Sequence, residues 1–202
     1  MRVLKSCQAF ILAGGASSRM GTDKSQLLVA GQTFTERIAD TLLKVTDSVT
    51  IVAQSIDASL DASALPRVPD IYPQWGALGG VHAALAAADR EWAIVVACDL
   101  PFVTSELFLH LAELRLDHDA VVPVQMDNRP QPLAALYRID PCRRRATELI
   151  EAGKRRPLDL LEAVKTRWVA FEEIRNLDQA ERFFVNINTP EDYHKAIRGH
   201  SL

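Results

Sequence analysis

Residues 12 to 24 read Leu-Ala-Gly-Gly-Ala-Ser-Ser-Arg-Met-Gly-Thr-Asp-Lys, directly after the apolar run Ala9-Phe10-Ile11-Leu12. The run suits a buried strand, and the stretch that follows holds Gly14, Gly15, Gly21, Arg19 and Lys24. Glycines let a backbone approach an anion closely and point successive N–H groups inward, while Arg19 and Lys24 bring positive charge to the same place. The pattern predicts a strand followed by a phosphate-wrapping loop. Two adjacent glycines alone would equally make a plain strand-to-helix turn; the basic residues at the far end favour the phosphate loop.

Two commoner phosphate motifs do not fit. A P-loop needs Gly-Lys-Ser/Thr at its end, but here Thr22 and Asp23 separate Gly21 from Lys24. The dinucleotide fingerprint needs Gly-x-Gly-x-x-Gly, and no glycine follows Gly15 until Gly21. A different nucleotide loop is left.

The rest of the chain supplies alternating elements. Helical spacing of Phe34, Ile38, Leu42 and Val45 predicts a helix, and the β-branched Ser48–Ala53 predicts a second strand. Prolines 66, 69 and 73 limit the next stretch to a short strand around Arg67-Val68. Gly76-Ala77-Leu78-Gly79-Gly80 reads as a second glycine loop opening an alanine-rich helix, Val81–Ala88. Trp92–Ala97 is apolar throughout, as for a central strand covered on both faces, and Thr104 caps a helix running to about Leu116. Strands are expected at Asp119–Val124, Leu133–Tyr137, Trp168–Phe171 and Phe183–Ile187, and helices at Cys142–Ala152, at Pro157–Val164 and after Thr189-Pro190. Such alternation predicts an α/β fold with ligands at the carboxyl ends of strands.

Composition narrows the class. With 202 residues, 48% of them hydrophobic, a single domain spanning 1–202 is expected. A net charge of −3 leaves no basic footprint for nucleic acid, so phosphate binding must be local. Cys7, Cys98 and Cys142 form no C-x-x-C pair, which argues against a disulfide framework or a zinc site and for a reducing compartment. No apolar run reaches the ~18 residues of a membrane span, and the N-terminus lacks a signal pattern. A cytoplasmic protein with no membrane or nucleic-acid partner is expected.

Outside the first loop, Asp99 stands directly after a buried strand, where a carboxylate meets a phosphate-bound Mg²⁺; it equally suits a stiffened Asp-Leu-Pro turn. Asp70, in a proline-bounded stretch, is either a turn residue or an acceptor for ribose hydroxyls or a base. Arg129, Arg155, Arg156, Asn186 and Asn188 suit an acidic second substrate, and Arg155 and Arg156 equally suit a solvated helix end. The five histidines show no ligand spacing.

The segments 12–24, GALGG (76–80), CDLPF (98–102), PQPLAALYR (130–138) and VNINTPEDY (185–193) together resemble the molybdenum cofactor guanylyltransferases, in order and across nearly the whole chain. The resemblance implies a three-layer α/β/α nucleotidyltransferase fold, Rossmann-like, with a mostly parallel, mixed sheet. It implies transfer of GMP from GTP to Mo-molybdopterin with Mg²⁺ as cofactor, and cofactor-delivery or molybdoenzyme chaperone proteins as partners. Leu12, Ala13, Gly14, Lys24 and Asp70 would contact GTP along with the loop glycine Gly15, and Asp99 would bind Mg²⁺ and nucleotide. Lys24, Arg19 and Asp99 would carry the catalysis. Arg19, Gly79, Arg156, Asn186 and Asn188 would line the pterin side. The segment Val52-Ala53-Gln54 departs from the family by lacking an asparagine that some relatives use near the nucleotide. Related readings of the same loop are a cytidylyltransferase on the same cofactor, a sugar-1-phosphate nucleotidyltransferase, and a nucleotide-binding partner protein without turnover. Asp23 before Lys24, where proline is expected in the cytidine enzymes, favours guanine.

Overall fold

The computed structural model describes residues 3–13, 28–29, 31–53, 65–187 and 191–193. Seven strands form one sheet: β1 (Cys7–Ala13), β4 (Val49–Ala53), β5 (Arg67–Pro69), β6 (Trp92–Ala97), β7 (Ala120–Pro123), β8 (Ala134–Arg138) and β9 (Thr166–Val169). Their spatial order is β5-β4-β1-β6-β8-β7-β9. All pairs are parallel except β6 with β8 and β7 with β8, so β8 alone among the seven runs against the rest. The mostly parallel, mixed sheet expected from the sequence is present. A separate antiparallel hairpin, β2 (Leu28–Val29) with β3 (Gln32–Thr33), precedes the first helix, and Gly31 holds φ +82° within it.

Helices cover both faces, which is why β6 is apolar throughout and β1 is apolar but for the buried Gln8, whose Oε1 accepts from Asp89 N. On one face Cys7, Ala9 and Ile11 of β1 pack with Ile38, Ala39 and Leu42 of α1 (Phe34–Leu43). Leu107, Phe108 and Leu111 of α3 (Ser105–Glu113) and Ile174 of α6 (Phe171–Ile174) complete that layer. On the other face Phe10 and Leu12 pack with residues 78, 81, 83, 84 and 85 of α2 (Gly76–Ala87). Cys142, Ala146 and Ile150 of α4 (Ile139–Glu151) and Leu160 and Leu161 of α5 (Pro157–Ala163) join them. Helices lie on both faces of one sheet, the expected three layers. Helix α1 starts from a capping box in which Thr33 Oγ1 accepts from Glu36 N at 3.2 Å and Glu36 Oε2 accepts from Thr33 N at 2.8 Å.

Several boundaries differ from the sequence-based expectation. The glycine pentad 76–80 is the first turn of α2 rather than a loop before it. Gly80 sits against Leu12, where a Cβ would meet Leu12 Cδ1 at 3.1 Å, so the glycine lets helix and strand approach closely. Helix α3 ends at Glu113, short of Leu116, and α4 begins at Ile139, taking Pro141 into its first turn, where a missing N–H costs nothing. Strand β9 ends at Val169, and Phe171 opens α6 instead of closing a strand. Residues 183–187 are not a strand. Phe183 is buried against the α1–α3 layer, while Ile187 is buried with Phe34 and Phe102, so this segment is held by side chains and not by a ladder.

Candidate active site

The first connection from β1 leads by α1 to β4 on one side, whereas the connection from β6 leads by α3 to β7 on the other. Neighbouring strands whose connections diverge leave a crevice at their carboxyl ends, the usual ligand position in open α/β sheets. Here the crevice is closed at its floor by one hydrogen bond, from Cys98 N to Leu12 O at 3.2 Å. Leu12 and Ala13 end β1, Leu12 stands opposite Ala97, and Asp99 follows two residues later. Gly14, Gly15, Arg19 and Lys24 lie outside the described residues, as does Asn188.

Asp99 sits in a turn that is fixed from three sides. Its carbonyl accepts from Ile187 N at 3.2 Å, Leu100 N donates to Ala97 O at 3.2 Å, and Arg37 Nε donates to Pro101 O at 2.8 Å. The Phe102 ring is flanked by the guanidinium carbons of Arg182, 4.2 Å from the ring centroid, and Arg37, at 5.9 Å. Asn186, adjacent to Ile187 and exposed, is therefore brought beside the Asp99 turn. The means is a peptide hydrogen bond in an irregular segment, not the strand the sequence predicts. Tyr193 extends the same cluster, packing on Phe34 and donating its hydroxyl to Leu28 O at 2.7 Å.

Asp70 lies on the same sheet edge, three strands away. Its amide donates to Ala53 O at 2.9 Å, and Ala53 stands opposite Ala13. Strand spacing places Asp70 roughly 14 Å from the Asp99 turn, about the reach of a nucleoside triphosphate. The Asp70 carboxylate is oriented by Tyr72 N, which donates to Oδ1 at 2.9 Å. Gly79 is buried under this turn: a Cβ there would lie 2.5 Å from Tyr72 O and 3.4 Å from Asp70 Oδ1. Gly79 thus lets α2 seat against the Asp70 turn.

Helix α4 starts at the opposite edge, because β8 runs backwards, and returns to the crevice edge with the connection 152–156. Arg155 lies over the Trp75 ring, its Cζ 4.9 Å from the centroid, next to the start of α2. Arg156 instead pairs with Asp159 at 3.0 Å, which raises the Arg156 pKa, chiefly through this hydrogen bond, and lowers that of Asp159. Of the two adjacent arginines, Arg155 is the one turned toward the Asp70 side, and Trp75 was not singled out by the sequence. The β7–β8 connection also reaches this edge, since Leu133 O accepts from Ala97 N at 2.9 Å, and within it Arg129 is paired with Asp127 at 2.6 Å.

Two other titratable groups are inert. Burial pushes the Cys142 thiol up to about 12, and Tyr137, fully buried, is raised further above its ordinary value while donating to Pro132 O at 2.7 Å. Among the described residues no group of three or more metal-ligating side chains gathers, and no helix is long and apolar enough to cross a membrane.

Comparison with known proteins agrees with this geometry. Residues 9–167 match the family model described as a MobA-like NTP transferase domain. A protein of Pelotomaculum thermopropionicum named "Probable molybdenum cofactor guanylyltransferase" is 37% identical over 186 residues, covering 92% of this chain and 89% of its own. The solved structure of molybdopterin-guanine dinucleotide biosynthesis protein A from Archaeoglobus fulgidus superposes with a TM-score of 0.81 at 26% identity, covering 96% of this chain and 98% of its own. The 2-C-methyl-D-erythritol 4-phosphate cytidylyltransferase of Thermus thermophilus covers all of both chains with a TM-score of 0.70 at 18% identity, a likeness of fold. With the crevice between β1 and β6, the matched model and these relatives agreeing, the chain belongs to the MobA-like NTP transferase family and is a nucleotidyltransferase.

Proposed function

We propose that this chain is a molybdenum cofactor guanylyltransferase, transferring GMP from GTP to the terminal phosphate of Mo-molybdopterin and releasing pyrophosphate. The observation that carries the proposal is the Cys98 N to Leu12 O hydrogen bond, which sets the end of the glycine-loop strand beside the Asp99 turn. The names of the relatives supply the substrate class.

Asp99 is a hard oxygen donor at the mouth of the crevice, and Mg²⁺ is commonly held by one or two carboxylates with substrate phosphates and water completing its shell. Mg²⁺ held there would neutralise charge on the triphosphate. Lys24 and Arg19 grip the β- and γ-phosphates, with Gly14 and Gly15 giving the backbone room, and Leu12 and Ala13 form the floor. Asp70 meets the nucleoside. Arg19, Gly79, Arg156, Asn186 and Asn188 are the candidates for the pterin phosphate side; of these Asn186 stands beside the Asp99 turn, whereas Gly79 lies under the Asp70 turn and Arg156 pairs with Asp159.

In the reaction an oxygen of the pterin phosphate attacks the α-phosphorus of GTP. A new P–O bond forms as the bond to the β-phosphate oxygen breaks opposite it, and the electron pair leaves with pyrophosphate. No general base is needed, because the attacking phosphate is already ionised near neutral pH. Positioning and electrostatic stabilisation carry the catalysis. The product then passes to a cofactor-delivery or molybdoenzyme chaperone protein.

The test offers GTP, CTP and ATP separately with Mg²⁺ and Mo-molybdopterin and identifies the dinucleotide and pyrophosphate formed. Guanine dinucleotide is expected. Preference for CTP, or no pyrophosphate release with any of the three, overturns the proposal.

A further inference from the structure

His82 is only 7% exposed, lies in α2, and belongs to none of the phosphate-binding or carboxylate groups above. Its Nε2 is 3.0 Å from Thr147 Oγ1 of α4. Thr147 Oγ1 is itself 3.1 Å from Arg143 O and donates its single proton there. The hydroxyl therefore accepts from His82, which fixes the proton on Nε2 and leaves Nδ1 buried without a partner. The ring meets the Tyr72 ring edge-on, centroids 5.0 Å apart. Tyr72 in turn donates its amide to Asp70 Oδ1 at 2.9 Å, and its carbonyl rests on Gly79. A continuous set of contacts thus runs from α4 through His82 and Tyr72 to the Asp70 carboxylate.

We propose that His82 is a positioning residue for the nucleotide, holding the Tyr72 ring so that the Tyr72 amide aims the Asp70 carboxylate into the crevice. The imidazole suits this task because one nitrogen anchors the ring to α4 while its edge braces an aromatic face. Leaving Nδ1 unpaired inside the protein is otherwise a cost with no return. The charged groups that face it are Asp70 from the turn before α2, which favours protonation, and Arg143 from α4, which opposes it. Burial outweighs both and holds the imidazole below its ordinary value of 6.5, so the neutral ring is the working form. Protonation would create a buried Nδ1–H donor with no acceptor and so disfavour the seated position of the ring.

The proposal rests on Asp70 meeting the nucleotide, and a double-mutant cycle on the full chain separates the two. His82→Ala is expected to raise KM for GTP about tenfold, with kcat and KM for molybdopterin changed less than about twofold, a coupling in the usual range for residues in contact. In an Asp70→Ala background the same change should have no further effect. His82→Phe, which keeps a ring against Tyr72, should restore GTP KM to within about threefold of wild type. As pH falls below 6.5, GTP KM should rise more steeply in the wild type than in His82→Phe, which also cancels the titration of the nucleotide itself. Equal effects of His82→Ala in both backgrounds, or equal losses for both substrates, overturn the role of His82. If Asp70→Ala alone leaves GTP KM unchanged, the nucleotide role of Asp70 fails and the proposal falls with it. Melting temperatures within a few degrees of wild type confirm that each variant is folded.

Discussion

The carbonyl of Asp99 accepts the amide proton of Ile187 across 88 positions of sequence, at 3.2 Å. This bond ties the turn after the central strand to the segment carrying Asn186, and Ile187 locks it by burying its side chain against Phe34 and Phe102. The backbone of Asp99 is thus held by a peptide hydrogen bond backed by a buried side chain.

Asp99→Asn should accordingly keep the fold and lose the reaction. Turnover is expected to fall about 10²-fold or more, the usual consequence of losing a key electrostatic group. Removing Mg²⁺ by chelation should give a comparable loss in the wild type and little further loss in the variant. Steady-state pyrophosphate release with and without chelator checks this, and near wild-type turnover at saturating Mg²⁺ would remove Asp99 from the reaction.

Lys24→Ala should raise GTP KM and lower kcat together, because in the proposed role the same ammonium would meet the phosphates before and during transfer. Isothermal titration with GTP and single-turnover transfer report the two effects separately. Unchanged kinetics would place Lys24 outside the site.

Gly79→Ala should act from beneath the site. Its new Cβ would stand 2.5 Å from the Tyr72 carbonyl, a backbone atom that cannot swing aside as a side chain can. A loss of about 1–3 kcal/mol in stability is expected, the range for overpacked interiors, together with a higher GTP KM as the Asp70 turn is pushed outward. Urea unfolding and GTP kinetics on the same preparation check both; an unchanged midpoint would show that α2 is not tightly seated there.

Thr33→Ala tests the start of α1, which packs on the Asp99 turn through Phe34 and Arg37. Loss of the hydroxyl half of the capping box should cost about 1 kcal/mol. The hydrogen bonds from the Thr33 backbone and hydroxyl hold Glu36 below its ordinary value of 4.5, so their contribution is present above that pH and is lost as pH falls through the lowered folded value. The stability gap between wild type and Thr33→Ala should therefore narrow as pH falls below 4.5. Because the backbone N–H of residue 33 survives in the variant, a gap that stays constant with pH would mean that the Thr33 hydroxyl makes no bond to the Glu36 carboxylate.

The framework was legible in the sequence wherever one element carried its own signal. Trp92–Ala97 reads as a buried strand because every side chain is apolar, and it is one; Asp99 then falls at the crevice because a parallel strand delivers the next residues there. Local patterns failed where distant partners decide. Gly79 and Gly80 look like loop glycines, yet they are helical, and they are glycines because a Cβ at either position would crowd Tyr72 O or Leu12 on other elements. Phe183–Ile187 has the composition of a strand, but Phe183 and Ile187 are buried in different clusters and no ladder forms. Arg155 and Arg156 are indistinguishable as neighbours in a basic loop. Only the position of Trp75 and of Asp159 turns one toward the crevice edge and the other along its own helix. His82 gives no ligand spacing, and its link to Asp70 passes through a ring contact that no sequence motif encodes.

The reversed strand β8 has an evolutionary consequence. Because it enters from the crevice edge, the connection 124–133 becomes a wall of the site, and because it leaves at the other edge, α4 carries the 152–156 connection back to form a second wall. The parallel strands β5, β4, β1 and β6 bear the residues proposed to handle the triphosphate. Two walls of the crevice are therefore built from connections whose length and composition can drift while the strands that form its floor keep their register.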